Sequence, residues 1–388
     1  MAKLTGSVGH HGRRGCRLLC GMEGRNKTGG SHFYPAMLQP EDCGDNPSAD
    51  HPDYNVNNLP PINTESYRWN LNYVLASPTA TWFKTRHLQT GITKPSIFDG
   101  LPHILKLPMC FPGDLMHQPM LNLPDLKHDL WCKRRDLQKH DKDSDWLWAV
   151  LTGDVWVEHG KAVAEAGCFL PRSFDRVPRN PQEKISSGYK AWEFLIYMYV
   201  LGPRLFYDVL PELYYRHFCK LVHGIRLVHQ QSILREQLAT AHQTLLEYSL
   251  EFEYLYYQRK SARLHFVHQS IHSLMHLVPE THRLGPLSLS AQWTMECVIG
   301  VLGSLVKQPS NPFTNLTEQA KKMASVNALL AMWPQISHNQ GLPRGSIDLG
   351  GGFVLLGLTD SKLYDLSPPE YAALDSHQTR SASDAPTP

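Results

Sequence analysis

Between Leu234 and Val278 apolar residues return every three or four positions. Leu234, Leu238, Ala241, Leu245, Tyr248, Phe252 and Leu255 form one stripe, and Leu264, Val267, Ile271, Leu274 and Val278 form a second. Such spacing puts side chains on one face of an α-helix, so residues 186–280 are expected to be paired helices burying apolar sides. Gly202-Pro203 and Ser261 are the expected breaks between them. Further helices are expected over 288–306 and from Thr317, whose hydroxyl suits an N-cap. The predicted fold class is mainly α with small β content.

The rest of the chain is less regular. Residues 1–65 form a loop-rich Cys/His segment, with GHHGRRGC, EGRNKTGGSH and PEDCGDNPSADHPDYN all rich in turn formers. Residues 66–185 are a mixed region. It opens on a helical pattern, SYRWNLNYVLASPTATWFKTR, that Pro78 interrupts, and Asp143–Ala164 fits one or two helices. Residues 186–340 make a helical domain. Residues 341–388 hold a short strand or hairpin in IDLGGGFVLLGL and a tail expected to be disordered.

Composition narrows the function classes. The 388 residues are 42% hydrophobic and 19% charged, which fits a globular protein. A net charge of +2 leaves no strong global field, so any nucleic-acid contact must come from local patches. No apolar run approaches the ~18 residues that span a bilayer, and the N-terminus lacks a secretory h-region, so no membrane partner is expected. The 8 Cys are scattered, which reads as reduced thiols in an intracellular protein. Neither G-x-x-x-x-G-K-[ST] nor G-x-S-x-G occurs, so neither a nucleotide cofactor nor a serine hydrolase has motif support.

Five constellations could carry chemistry. Cys16-x-x-x-Cys20 on a Gly-rich turn either binds zinc with ligands from elsewhere or is two small apolar residues under a loop. Asp114 and His117, at i and i+3, either share an ion, form a hydrogen-bonded pair, or make a cap beside a surface His. His265, His268, His272 and His276 fall along one side of a helix; HQSIH lacks the Glu of HExxH, so a metalloprotease is not indicated. Arg13 and Arg14, with Arg259, Lys260 and Arg263 beside Tyr256 and Tyr257, are candidate phosphate and base contacts, or solvated helix ends. Glu193 and Glu296 are carboxylates set among apolar and aromatic residues, which need a metal, a proton-transfer role or a wet helix edge.

Several long stretches, in order, resemble the transposase of CACTA (En/Spm-type) DNA transposons, in the form abundant in mushroom-type fungi. They are GSVGHHGRRGCRLLCGMEGRNKTGGSHFYPAMLQP, KPSIFDGLPHILKLPMCFPGDLMHQPMLNLPDL, PRSFDRVPRNPQEKISSGYKAWEFLIYMYVLGP and RLHFVHQSIHSLMHLVPE with the GPLSLSAQWTMECVIG segment after it. The resemblance runs from about Gly6 to about Leu358, and residues 262–320 look like the uncharacterised domain that follows the core in such elements.

The resemblance implies a remnant of a ribonuclease-H-like core, with a helical insertion and a C-terminal helical domain. It implies an acidic triad holding two divalent metals for phosphoryl transfer on DNA. It matches Cys16 and Cys20 to the family's Cys pair, and Asp114 and His117 to its (Cys or Asp)-x-x-His motif, as one structural zinc cluster. The third acid matches Glu296 in WTME, where Cys297 stands in place of the family's Arg; Glu193 is the second choice. The family's second Asp lies just before the LTGSVGHHG-like segment, and here the sequence starts inside that region, with MAKLTG; the first lies further upstream. With two of three acids missing, Mg or Mn would bind only if those acids existed upstream. The resemblance therefore implies a catalytically incomplete, nuclear, transposase-like chain; the alternatives are the back half of an active metal-dependent DNA transposase whose gene start is misplaced, or a non-enzymatic helical interaction module retained by the host. Transposon-end DNA and a second copy of the chain are its candidate partners.

Overall fold

The computed structural model describes residues 2–27, 29–42, 51–61, 64–170, 174, 177–306, 310–336, 342, 346–350, 353–355 and the single positions 368, 371, 372 and 375. Helix dominates them, and no helix among them is long and apolar enough to cross a membrane. Among the described residues, strand pairing is confined to two antiparallel hairpins and one isolated bridge. The first hairpin joins β1 (Arg25–Asn26) to β2 (Phe33–Tyr34); the second joins β3 (Ile347–Gly350) to β4 (Phe353–Leu355). The chain divides into one unit over residues 1–297 and another over 298–388.

In the first unit, two helices form a hairpin, α1 (Thr64–Leu75) and α2 (Ala80–Thr90), with Pro78 in the break as expected. Thr79 caps α2 by accepting from the Trp82 N–H. Gly91 ends α2 with φ of 74° and hands its carbonyl to the Val8 N–H. A Cβ there would sit 2.8 Å from the Arg14 carbonyl oxygen, so both conformation and space call for glycine. α1 buries Tyr67, Leu71 and Val74 with Ile92, Leu107 and Phe111.

The main core lies under α3 (Leu123–Trp131), α4 (Gly153–Glu165), α5 (Glu212–Val228), α6 (Arg235–Phe252) and α7 (Gln269–Leu284). The predicted stripe is buried through Leu238, Ala241, Leu245, Tyr248 and Phe252, while Leu234 lies outside the helix as its exposed N-cap. Of the second stripe, only Ile271, Leu274 and Val278 are on α7; Leu264 is in a tighter helical segment before it, and Val267 is that segment's extended C-cap. That break follows Gln258 and Arg259, both at positive φ, close to the expected Ser261. Gly202-Pro203, in contrast, does not break its segment. Ala191–Leu205 is continuous through a π-helical stretch, and the Tyr199 carbonyl, which Pro203 has no N–H to serve, accepts from Arg226 Nε at 2.8 Å.

Two further long helices follow among the described residues, α8 (Trp293–Leu305) and α9 (Pro312–Met332). The expected cap at Thr317 is corrected: α9 starts five residues earlier at Pro312, and the Thr317 hydroxyl donates to the Phe313 carbonyl inside it. The sequence stretch around Arg172 and the C-terminal tail fall largely outside the described residues.

Trp131 anchors the core. Its indole N–H donates to the Tyr256 hydroxyl at 3.1 Å, and its ring meets Phe206 and Phe218. Beside it sits Lys127, fully buried. Its ammonium nitrogen lies 4.0 Å from the Tyr256 ring centre and 3.4 Å from His217 Nδ1. His217 Nε2 donates to the Tyr248 carbonyl, so Nδ1 is free to accept. Lys127 makes no ion pair among the described residues, and burial pushes its amine well below the usual 10.5. Burial therefore favours the uncharged amine in the folded chain while the unfolded chain protonates it, so this site costs stability as pH falls below about 10.5. Lys127→Met should raise stability by on the order of 1–3 kcal/mol at pH 7. Denaturant unfolding should show that advantage shrinking as pH climbs towards 10.5. A destabilised Lys127→Met at pH 7 would contradict this account.

Candidate metal centre

The Cys pair sits in a turn. The Leu19 N–H donates to the Cys16 carbonyl, and Leu19 takes φ of 49°, which folds the chain back so that both thiols point inward. Leu18 and Met22 bury alongside them, against Met37, Val56, Leu246 and Met275. Met275 belongs to α7, one face of which carries His272 and His276 at i and i+4, the spacing that stacks two side chains one turn apart.

These two elements meet. Cys20 Sγ lies 3.3 Å from His272 Nε2, and Cys16 Sγ lies 3.5 Å from His276 Nε2. The two Nε2 atoms are 3.0 Å apart, and all four ligand atoms lie within 4.8 Å of one another. Tetrahedral zinc with two sulfurs and two nitrogens requires S···N edges of about 3.5 Å and an N···N edge of about 3.3 Å. The side chains are within a few tenths of an ångström of that figure, and each is over nine-tenths buried. Lone pairs of two imidazoles converging in a dry site repel unless a proton or a cation lies between them. Hydrogen bonding from Cys20 and the two nearby imidazoles hold the Cys16 thiol well below its usual range, while the same hydrogen bond and burial push the Cys20 thiol up. The buried cluster could therefore hold a zinc ion.

The expected ligand set is thereby corrected. Cys16 and Cys20 are joined by His272 and His276, not by Asp114 and His117. Asp114 is spent locally: it accepts from the N–H groups of Met116, His117 and Gln292, and pairs with His117 Nδ1. That pairing points His117 Nε2 outward, 3.6 Å from Glu296 Oε1, and both side chains are open to solvent. Glu296 is held there because α8 begins beside it: the Gln292 N–H is fixed by Asp114, and Trp293 meets Trp192 edge-to-face at 5.7 Å. The result is a solvent-facing Asp–His–Glu row. Glu193 is corrected as a catalytic candidate. It is buried, and its carboxylate is consumed by Arg179 at 2.6 Å and by the Lys190 N–H, which closes the first turn of its helix.

The histidine row splits for a similar reason. α7 starts at Gln269, so His265 and His268 lie before it. His265 meets the Asp136 carbonyl oxygen, and burial lowers both imidazoles, to about 4 and about 3. The five basic residues singled out as nucleic-acid contacts are all in ion pairs. Arg13 and Arg14 both hold Glu23, Arg259 holds Glu41 and Asp53, and Lys260 holds Asp145. Arg263 is fully buried against Asp141, which removes it as a surface contact altogether. The sequence signal for the histidine half of this cluster was the i, i+4 spacing of His272 and His276.

One carboxylate ties the two clusters together. Glu280, one turn beyond His276, is buried; it takes Arg17 at 3.2 Å, beside Cys16, and accepts the Gly113 N–H, beside Asp114. Compared with family models, curated proteins and solved structures, the chain matches none. Glu280→Ala should cost about 2–3 kcal/mol, since it leaves Arg17 and the Gly113 N–H without their acceptor. Glu280→Gln, which keeps an acceptor oxygen, should cost less than half as much in the same urea titration. Equal losses from the two variants would show that the acceptor is not what matters.

Proposed function

We propose that this chain is the zinc-bearing part of a CACTA-type transposase, with Glu296 as its third catalytic acid. The observation that carries the reading is the junction of a Cys pair and a His pair more than 250 residues apart in one buried, zinc-sized cluster. The other stretches that carry the resemblance support it. Asp114 and His117, from the insertion-like region, come together with Glu296 from the WTME segment, as parts of one reaction site would.

Cys16, Cys20, His272 and His276 would hold zinc in a closed four-ligand site. With no open position, zinc there supplies folding energy and no catalysis. The chain's own residues do the rest: α7 fixes the histidines, Arg17 and Glu280 lock the Cys turn to the helix, and Asp114 sets the ring plane of His117. Mg or Mn fits the described residues poorly. Glu296 and His117 offer one carboxylate and one imidazole, whereas a two-metal centre needs several carboxylates. The described residues are thus proposed to scaffold and complete a DNA-processing site rather than to transfer strands unaided. DNA of the transposon ends would be the partner, in the nucleus.

Purified protein should contain one zinc per chain by elemental analysis. Cys16→Ser and His272→Ala should lose it, while Asp114→Asn and His117→Ala should keep it. Retention in the first pair, or loss in the second, overturns the ligand set. For the family reading, the genomic frame upstream of the Met1 codon should encode strands that supply two Asp residues. Unrelated coding sequence there would overturn it.

A further inference from the structure

The α1–α2 hairpin leaves its aromatic side bare. Trp69 is 79% exposed and Trp82 51%, the highest values among the described tryptophans, and Tyr73 and Phe83 are each 38% exposed. Trp69 and Tyr73 are one turn apart on α1, as Trp82 and Arg86 are on α2. The Arg86 guanidinium bridges the helices, 4.2 Å from the Tyr73 ring centre and 5.3 Å from that of Trp82, and its Nη1 donates to the Tyr73 carbonyl. The outcome is a continuous strip: indole, phenol, guanidinium, indole. The buried side of α1 is satisfied separately by Tyr67, Leu71 and Val74, so the strip plays no part in that core.

Charge narrows what could lie on it. Glu65 is the one acid in the two helices, against Arg68, Lys84 and Arg86. Lys84, two residues from both Trp82 and Arg86, faces the opposite side of α2 from the strip. Neither Arg68 nor Arg86 is in an ion pair among the described residues, unlike the basic residues around the candidate metal centre. The exposed polar side chains between the rings are amides and hydroxyls, Asn72, Gln89, Thr81 and Thr85. A helix from another protein would call for aliphatic knobs, and a duplex keeps its base faces inside the stack. A strand with unpaired bases matches both properties at once, with ring faces for the indoles and phosphates for the cations.

We propose that the α1–α2 hairpin is a binding surface for single-stranded DNA, with Trp69, Tyr73 and Trp82 stacking on unpaired bases and Arg68 and Arg86 taking phosphates. The choice of DNA over RNA rests on the transposase reading; the stacking surface itself does not. Zinc content and the upstream frame do not enter the test, so this proposal and that reading can fail separately.

The test is a fluorescence-anisotropy titration of the full chain with labelled oligo-dT of about 20 nucleotides, a duplex of equal length, and oligo-rU. Oligo-dT should bind at least about tenfold more tightly than duplex, and no more weakly than oligo-rU. Log affinity should fall with log salt at a slope near 1.4, about 0.7 per neutralised phosphate. Trp69→Ala with Trp82→Ala should weaken binding by about tenfold or more without changing that slope. Arg68→Gln should lower the slope by about 0.7. Unchanged affinity in the double tryptophan variant, equal binding to duplex, tighter binding to oligo-rU, or a slope indifferent to Arg68→Gln would each overturn the proposal. Both indoles being exposed, circular dichroism should show the variants folded as the parent is.

Discussion

The loop-rich start of this chain has little regular structure with which to hold itself, and everything near the candidate site depends on how it is fastened. Its fastening is the meeting of Cys16 and Cys20 with His272 and His276. A cross-link between points so far apart in sequence removes a large amount of freedom from the unfolded chain, and a metal at that point couples binding directly to folding. Once the Cys turn is fixed on α7, Arg17 reaches Glu280, Glu280 reaches Gly113, and Asp114 and His117 are set opposite Glu296.

Buried charges do for these loops what ladders do for a sheet. Arg25 is 1% exposed and donates to the carbonyls of Ala36, Met37, His51 and Pro52. Glu253, on the widened turn after α6, accepts the Met37 and Leu38 N–H groups, although burial pushes its carboxyl up to about 8. Backbone polar groups that leave water need partners, and where strands are two residues long the side chains must supply them. The same economy explains why the basic residues near the metal centre are not available to a ligand: each is already closing a loop.

Much of the helical layer was legible. Apolar spacing marks α6 and the core face of α7, and Pro78 marks the turn between α1 and α2, because these are local effects of helix geometry and of a missing N–H. The Cys pair was legible as half of a metal site. Its other half was not, since Asp114-x-x-His117 and His272-x-x-x-His276 offer equally good local spacings and only tertiary structure brings one of them to the thiols. Arg263 and Glu193 were misread for a related reason. A charge in an aromatic segment looks the same in sequence whether it faces water or a buried partner such as Asp141 or Arg179.

The central claim is that two sulfurs and two imidazole nitrogens share one zinc ion. X-ray absorption at the zinc edge of the purified chain measures that directly. The account predicts a first shell of two sulfur scatterers at about 2.3 Å and two nitrogen scatterers at about 2.0 Å. A shell of oxygen and nitrogen alone, or of four sulfurs, would contradict it.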